Sequence, residues 1–297
     1  MKTKYSVLLL ILLMAAASGI IIMRTNKTST TDFKYSSNTK EIPYNLNEPT
    51  KKIKLTHELQ EISALSYYKN KQLACLHDER ADIFMISYPN EEIQKKLKIA
   101  GNGDYEGIEI IENTAYMLKS NGVLLKIANF TSDTMTVTKL ETGLSQSNDC
   151  EGLGHDPQTK HLLIACKNKP WISGSTKKMK NKRAVYEYDI INEKLNKIPR
   201  FLISLKEIEE KTGKKKFMPS GIAIHPISHN AYIIASVGKL MIVLNKDGQI
   251  ISFKHLDPEI FRQAEGICFT PDGKQLFISN EGRNKKGNIL IFEQLDN

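Results

Sequence analysis

A glutamate followed by glycine stands at the head of an apolar run three times, in DYEGI (104–108), DCEGL (149–153) and AEGI (264–267). Two further segments fit the same frame with serine in the glutamate position, ISALSYY (62–68) and PSGIAIH (219–225). The small residues that follow, Ala64, Gly107, Gly152, Gly221 and Gly266, lie 43, 45, 69 and 45 residues apart. Such a repeat constrains the fold more than any single motif. Each unit must be one supersecondary element that buries its faces against its neighbours.

Within a unit the pattern is strand, turn, strand. EGICFT is followed by PDGK and QLFISNEG, GLGH by DPQTK and HLLIACKN, and GIAI by HPISHN and AYIIASVG. Proline beside Asp, Asn or Gly presets tight turns, so consecutive strands are expected to pair antiparallel. LMIVLN, KDGQ and IISFKHL add a third and fourth strand in the fourth unit. Four short antiparallel strands at a period near 45 describe a propeller blade. Only 31 residues follow Gly266, enough for three strands, so KKIKLTH at 51–57 is expected to complete the last blade and close the ring. The sequence therefore predicts an all-β chain whose residues 51–297 form a five-bladed β-propeller. A six-bladed form would require the 69-residue interval, which holds lysine-rich runs at 177–183 and 211–216, to hide a degenerate blade.

Ahead of the repeats, Tyr5 to Met23 is an uninterrupted apolar stretch flanked by Lys2, Lys4 and Arg24. At about 1.5 Å per helical residue it nearly spans a hydrocarbon core of about 30 Å. Residues 1–24 read as a transmembrane signal anchor, with cleavage after Ala15-Ala16-Ala17 and secretion as the alternative. Residues 25–50 read as a polar tether. The expected location is the cell membrane, single-pass, with the propeller extracytoplasmic. The net charge is +9, but the lysine runs lack interleaved aromatics, so nucleic acid is not an expected partner. An envelope ligand or protein is.

The runs NDCEGLGHDPQTKHLLIACKNKP, KFMPSGIAIHPISHNAYIIASVGKLMIVLNKDG and AEGICFTPDGKQLFISNEG resemble the SdiA-regulated family of bacterial envelope proteins, over about residues 50–297. The resemblance implies a five-bladed propeller borne on an N-terminal membrane segment. The family's name reports control of expression and implies no activity. More distantly the pattern is similar to calcium-bearing propeller hydrolases of the lactonase and phytase-like groups, a likeness of architecture alone.

In a propeller the first strand of each blade lines the central channel, so Ser63, Glu106, Glu151, Ser220 and Glu265 are expected to converge at one face. Three clustered carboxylates repel, which raises the pKa of at least one unless a cation or basic side chain sits among them. Calcium takes oxygen ligands, so Glu106, Glu151 and Glu265 are candidate Ca2+ ligands. Each second strand returns to the same face, adding Asp78, Glu79, Lys119, Lys167, Asn168, Asn280 and Glu281 as candidate ligand-binding residues. Asp104 and Asp149 precede their glutamates by two positions and join the rim. Alternatively, the glutamates accept hydrogen bonds from neighbouring blades, or the lysines neutralise them. Neither HExxH nor G-x-S-x-G occurs, and no catalytic residue is assigned. Pairing His155 with His161 would set Cys150 opposite Cys166, where a disulfide is permitted and free thiols are the default. Two functions fit: a binding or interaction module, and a calcium-dependent hydrolase of esters or phosphoesters.

Overall fold

A computed structural model describes residues 41–171 and 179–295 of the 297-residue chain. The expected anchor at 1–24 lies outside the described residues, as does the tether up to residue 40. Among the described residues no helix is long and apolar enough to cross a membrane.

Five antiparallel sheets form the five blades. β1 (Lys51–Lys54) precedes blade one, which comprises β2 (Ile62–Tyr68), β3 (Gln72–His77), β4 (Arg80–Ser87) and β5 (Glu92–Asn102). Blade two holds β6 (Tyr105–Ile111), β7 (Thr114–Lys119), β8 (Val123–Ala128) and β9 (Thr136–Glu141). Blade three holds β10 (Cys150–Asp156), β11 (His161–Cys166) and β12 (Lys182–Asp189), whose outer edge is shared by β13 (Lys194–Leu195) and β14 (Phe201–Ser204). Blade four holds β15 (Gly221–Ile224), β16 (Ala231–Ala235), β17 (Leu240–Leu244) and β18 (Ile250–His255). Blade five holds β19 (Ala264–Phe269), β20 (Gln275–Asn280) and β21 (Asn288–Glu293), and β1 completes it by pairing Lys51 with Ile291 through Lys54 with Asn288. The inner strands β2, β6, β10, β15 and β19 pack in that order around the axis, and β19 returns to β2.

The sequence writes this architecture as strand pleat. Side chains alternate between the two faces of a strand, and here both faces are buried. Along β3, Leu73 and Cys75 enter the layer shared with blade five, whereas Ala74 and Leu76 enter the layer shared with blade two. One apolar layer fills each of the five gaps between blades.

Among the described residues the long interval holds no sixth blade. Its extra residues include the split fourth strand of blade three and helix α1 (Leu205–Thr212), which the sequence reading did not anticipate. Ser204 caps α1 by accepting a hydrogen bond from the Glu207 amide at 3.4 Å, and Gly213 ends it at φ 71°. The first lysine run enters β12 at Lys182, and the second closes α1. The tether boundary at residue 50 also shifts. Ile42, Tyr44 and Leu46 are buried in the layer between blades four and five, where the Tyr44 hydroxyl meets His225 Nε2 at 3.0 Å and donates to the Gly273 carbonyl.

Candidate functional site

The glutamates that opened the sequence reading are β-bulge residues. In β6, Tyr105 pairs with Lys119 and Gly107 with Leu118, leaving Glu106 as the extra residue. In β10, Cys150 pairs with Cys166 and Gly152 with Ala165, leaving Glu151. Ser63 holds this position in β2, and β19 carries the equivalent irregularity across Glu265 and Gly266. A bulge removes one residue from the alternation of the ladder and re-aims its side chain. Blade four has no shift at this point, and Ser220 sits one residue ahead of β15.

The glycine of each pair serves the neighbouring blade. A Cβ on Gly107 would lie 2.6 Å from Leu153 Cβ of blade three, and one on Gly221 would lie 2.4 Å from the Glu265 carbonyl oxygen of blade five. Inner strands crowd around a five-fold axis, and glycine allows the close approach.

Glu106, Glu151 and Glu265 line a cavity of about 150 Å³ together with Ser63, Asp78, Lys167 and Glu281. Glu61 and Gln263 also line it and were not anticipated. Both stand two residues before the bulge position of their blades, as Asp104 and Asp149 do, so extending that offset to every repeat would have found them. Lys167 Nζ donates to Glu151 Oε1 at 2.7 Å. Gln263 donates to Glu281 and accepts from Arg283.

The remaining candidates sort by register. Lys119, Cys166, His77 and Asn280 are equivalent in their ladders, and of the residues that follow them Lys167, Asp78 and Glu281 line the cavity. Lys119 and Asn280 were therefore placed one residue out, which on a strand reverses the face. Lys119 Nζ instead lies 5.1 Å from the Tyr105 ring centroid, and wholly buried Asn280 donates to the Ile260 carbonyl at 3.2 Å and to Asn288 Oδ1 at 3.1 Å. Ser120, passed over in the sequence, donates to Asp104. Exposed Asn168 donates to Asp149 Oδ2 at 2.9 Å outside the cavity lining, and Glu79 is exposed. The Ser63 and Ser220 hydroxyls tie blades together, donating to the carbonyls of Tyr105 at 2.7 Å and Ala264 at 2.6 Å.

Cys150 does face Cys166, though His155 pairs with Leu162 rather than His161. The bulge absorbs the one-residue difference. All four cysteines are free and buried.

Burial, then the nearby Glu151, Asp104 and Glu265, push Glu106 up to about 10. Burial pushes Glu265 up to about 8, with Glu151 adding to it. Glu151 rises only to about 7, because Lys167 offsets part of the effect of burial. Burial works against the Lys167 charge, but Glu151 prevails and holds the ammonium above the usual lysine range.

As a donor set the cavity suits a hard cation, since Glu106, Glu151, Glu265, Glu281, Asp78 and Glu61 all offer carboxyl oxygens. The three glutamates are not drawn into a chelate. Among the described residues, the one group of three such side chains with ligand atoms within 4.8 Å of one another is Glu61, His77 and Asp78.

A family model described as SdiA-regulated matches residues 39–284. No curated protein matches the chain. Among solved structures, the chain is similar to a glutaminyl cyclase from Myxococcus xanthus, with TM-score 0.54 and 9% identity over 84% of this chain and 97% of that one. It is similar to a luciferin-regenerating enzyme with TM-score 0.51 and 11% identity, over 83% of this chain and 95% of that one. A calcium-binding regucalcin from Agrobacterium tumefaciens follows at TM-score 0.49 and 12% identity, over 79% of this chain and 91% of that one. At these identities the likeness shows the fold alone.

Proposed function

The chain belongs to the SdiA-regulated family, and on that premise we propose that it is a membrane-tethered, extracytoplasmic binding module whose axial cavity receives a cation. The observation that carries this reading is the charge imbalance of the cavity, six carboxyl groups against the single ammonium of Lys167. Buried carboxyls crowded in this way are held partly protonated, and a positive ligand exchanges for those protons. The hydrophobic segment at 1–24 would hold the propeller at the membrane, and an envelope ligand or protein would supply the cationic group.

Calorimetric titration of the full chain with calcium tests the reading. Binding should release protons, tighten from pH 6 to pH 8 and weaken at least tenfold in Glu106→Gln/Glu151→Gln. Binding that ignores pH and the double variant would refute it. If calcium is the cation, Glu106, Glu151 and Glu265 would hold it.

A second reading, a calcium-dependent hydrolase of esters, lactones or phosphoesters, is favoured by the unequal settings of two carboxyls in one cavity: Lys167 Nζ meets Glu151 at 2.7 Å and offsets its burial, whereas burial and acidic neighbours raise Glu106. Neighbouring carboxyls of unequal acidity suit acid and base roles, and a bound metal would polarise the scissile bond. Turnover of a model ester or phosphoester that disappears in Glu151→Gln would establish it.

A further inference from the structure

A second cavity, of about 290 Å³, opens at the opposite mouth of the channel. Its walls come from the tails of the inner strands, where Tyr67 of β2, Glu109 of β6, His155 of β10, Ile224 of β15 and Phe269 of β19 meet. Pro157, Pro226 and Pro271 begin the first hairpin turns of blades three, four and five and add an apolar collar.

Four polar side chains, Tyr67, Glu109, His155 and Thr270, interrupt that apolar wall, and the Thr270 hydroxyl is already engaged, donating to Asp272 Oδ1 at 2.6 Å. Ser66 Oγ donates to Glu109 Oε1 at 3.0 Å, fixing the carboxylate. Neither the His155 ring nor the Tyr67 hydroxyl hydrogen-bonds another described residue. Burial holds the His155 imidazole below its usual range, so it is neutral near pH 7. Glu109 is the sole acid among the described lining residues, and neither lysine nor arginine lines the pocket. Burial pushes Glu109 up to about 7, with the Ser66 hydroxyl opposing the shift, so the carboxylate lacks a cationic partner of its own.

We propose that this mouth is a binding site for a small organic cation, an amine on an apolar body. The ammonium would sit on Glu109, with the Tyr67 hydroxyl and His155 as further hydrogen-bond partners and the apolar body against Phe269, Ile224 and the prolines. The volume is at the small end of ligand pockets, which run from about 300 to 1,000 Å³. One carboxylate is too few for a hard metal ion, which gathers six or more oxygen ligands. A largely apolar cavity with one half-buried anion is instead complementary to a single positive charge carried on hydrocarbon.

Isothermal titration calorimetry of the full chain at pH 8 with benzylamine, benzyl alcohol and benzoate tests the site. Benzylamine should bind at least tenfold more tightly than the other two. Glu109→Gln should weaken it about tenfold or more, the loss expected for a charge-assisted hydrogen bond. Glu109→Asp, which keeps the charge but retracts it, should give an intermediate loss and serves if the amide variant melts lower. Glu106→Gln/Glu151→Gln should leave benzylamine affinity within about twofold, since those residues line the other cavity. Equal binding of the three probes, no binding of benzylamine, or unchanged affinity in Glu109→Gln overturns the proposal. Loss of benzylamine binding in the double variant alone moves the amine to the acid-lined cavity and overturns it equally.

Discussion

The five inner strands begin and end differently. At their heads, four of five carry a register shift, and the cavity there holds six carboxyl groups. Towards their tails the same ladders run regularly into the hairpins, as in Ile110 with Ala115 and Ile111 with Thr114, and the cavity is apolar with one acid. Repetition alone makes the ring. The local break in repetition aims polar side chains along the axis, because the extra residue of a bulge is free of the alternation that sends its neighbours into the layers between blades.

The largest predicted effect tests the ring that both ends share. Gly221→Ala sets a methyl group 2.4 Å from the Glu265 carbonyl oxygen, and this backbone cannot swing aside as a side chain can. Stability should fall by about 3 kcal/mol, read as a lower urea midpoint.

Lys167→Met comes next and acts on the head alone. At pH 8 it leaves Glu151 unpaired in a buried setting, and stability should drop by about 1–2 kcal/mol, discounted because Lys167 is partly exposed. At pH 5 Glu151, which titrates near 7, already carries its proton, so the loss should nearly vanish. Equal losses at both pH values would show that the lysine matters for packing and not for charge.

A smaller effect concerns pH in the unmodified protein. Glu106, Glu265 and Glu151 have folded values of about 10, 8 and 7, above the ordinary carboxyl value of 4.5, so the folded state binds more protons than the unfolded one. Their contribution to stability must therefore fall as pH rises from about 5 to 9. Thermal melts across that range should show the decline, and Glu106→Gln should flatten it. Bound cation should restore stability at the alkaline end.

Least affected are the variants Glu79→Gln and Lys119→Gln, at positions outside the cavity. Both should stay within about 0.5 kcal/mol of the parent and leave cation titrations unchanged. A loss of binding in either would move the boundary of the site.

Much of the site was legible because the repeat fixes offsets. The glutamate position, the residue two before it and the far end of the second strand recur in several blades, and Asp78, Lys167 and Glu281 fall where that logic puts them. Lys119 and Asn280 fail by a single residue. The third hairpin was read one position away from where the chain makes it, with His155 set against His161 and not Leu162, and nothing local in DYEGI or DCEGL marks a bulge. Cys150 and Cys166 show the two errors cancelling, since the expected His155–His161 pair is absent and yet the cysteines face each other.

The sequence by itself determined the number of blades, the closing strand at residue 51 and the family. The blades and the closing strand follow from hydrophobic alternation and turn residues repeated at a fixed spacing, which are local signals, and the family follows from the resemblance of the quoted runs. Only the tertiary structure decided which residue in each ladder is extra, and so which side chains reach the axis. It also decided that Ile42, Tyr44 and Leu46 lock the seam between blades four and five, and that strand tails far apart in the chain share a second mouth. A strand reverses its faces with a one-residue slip, and where the slip occurs depends on how tightly the neighbouring blades close around the channel.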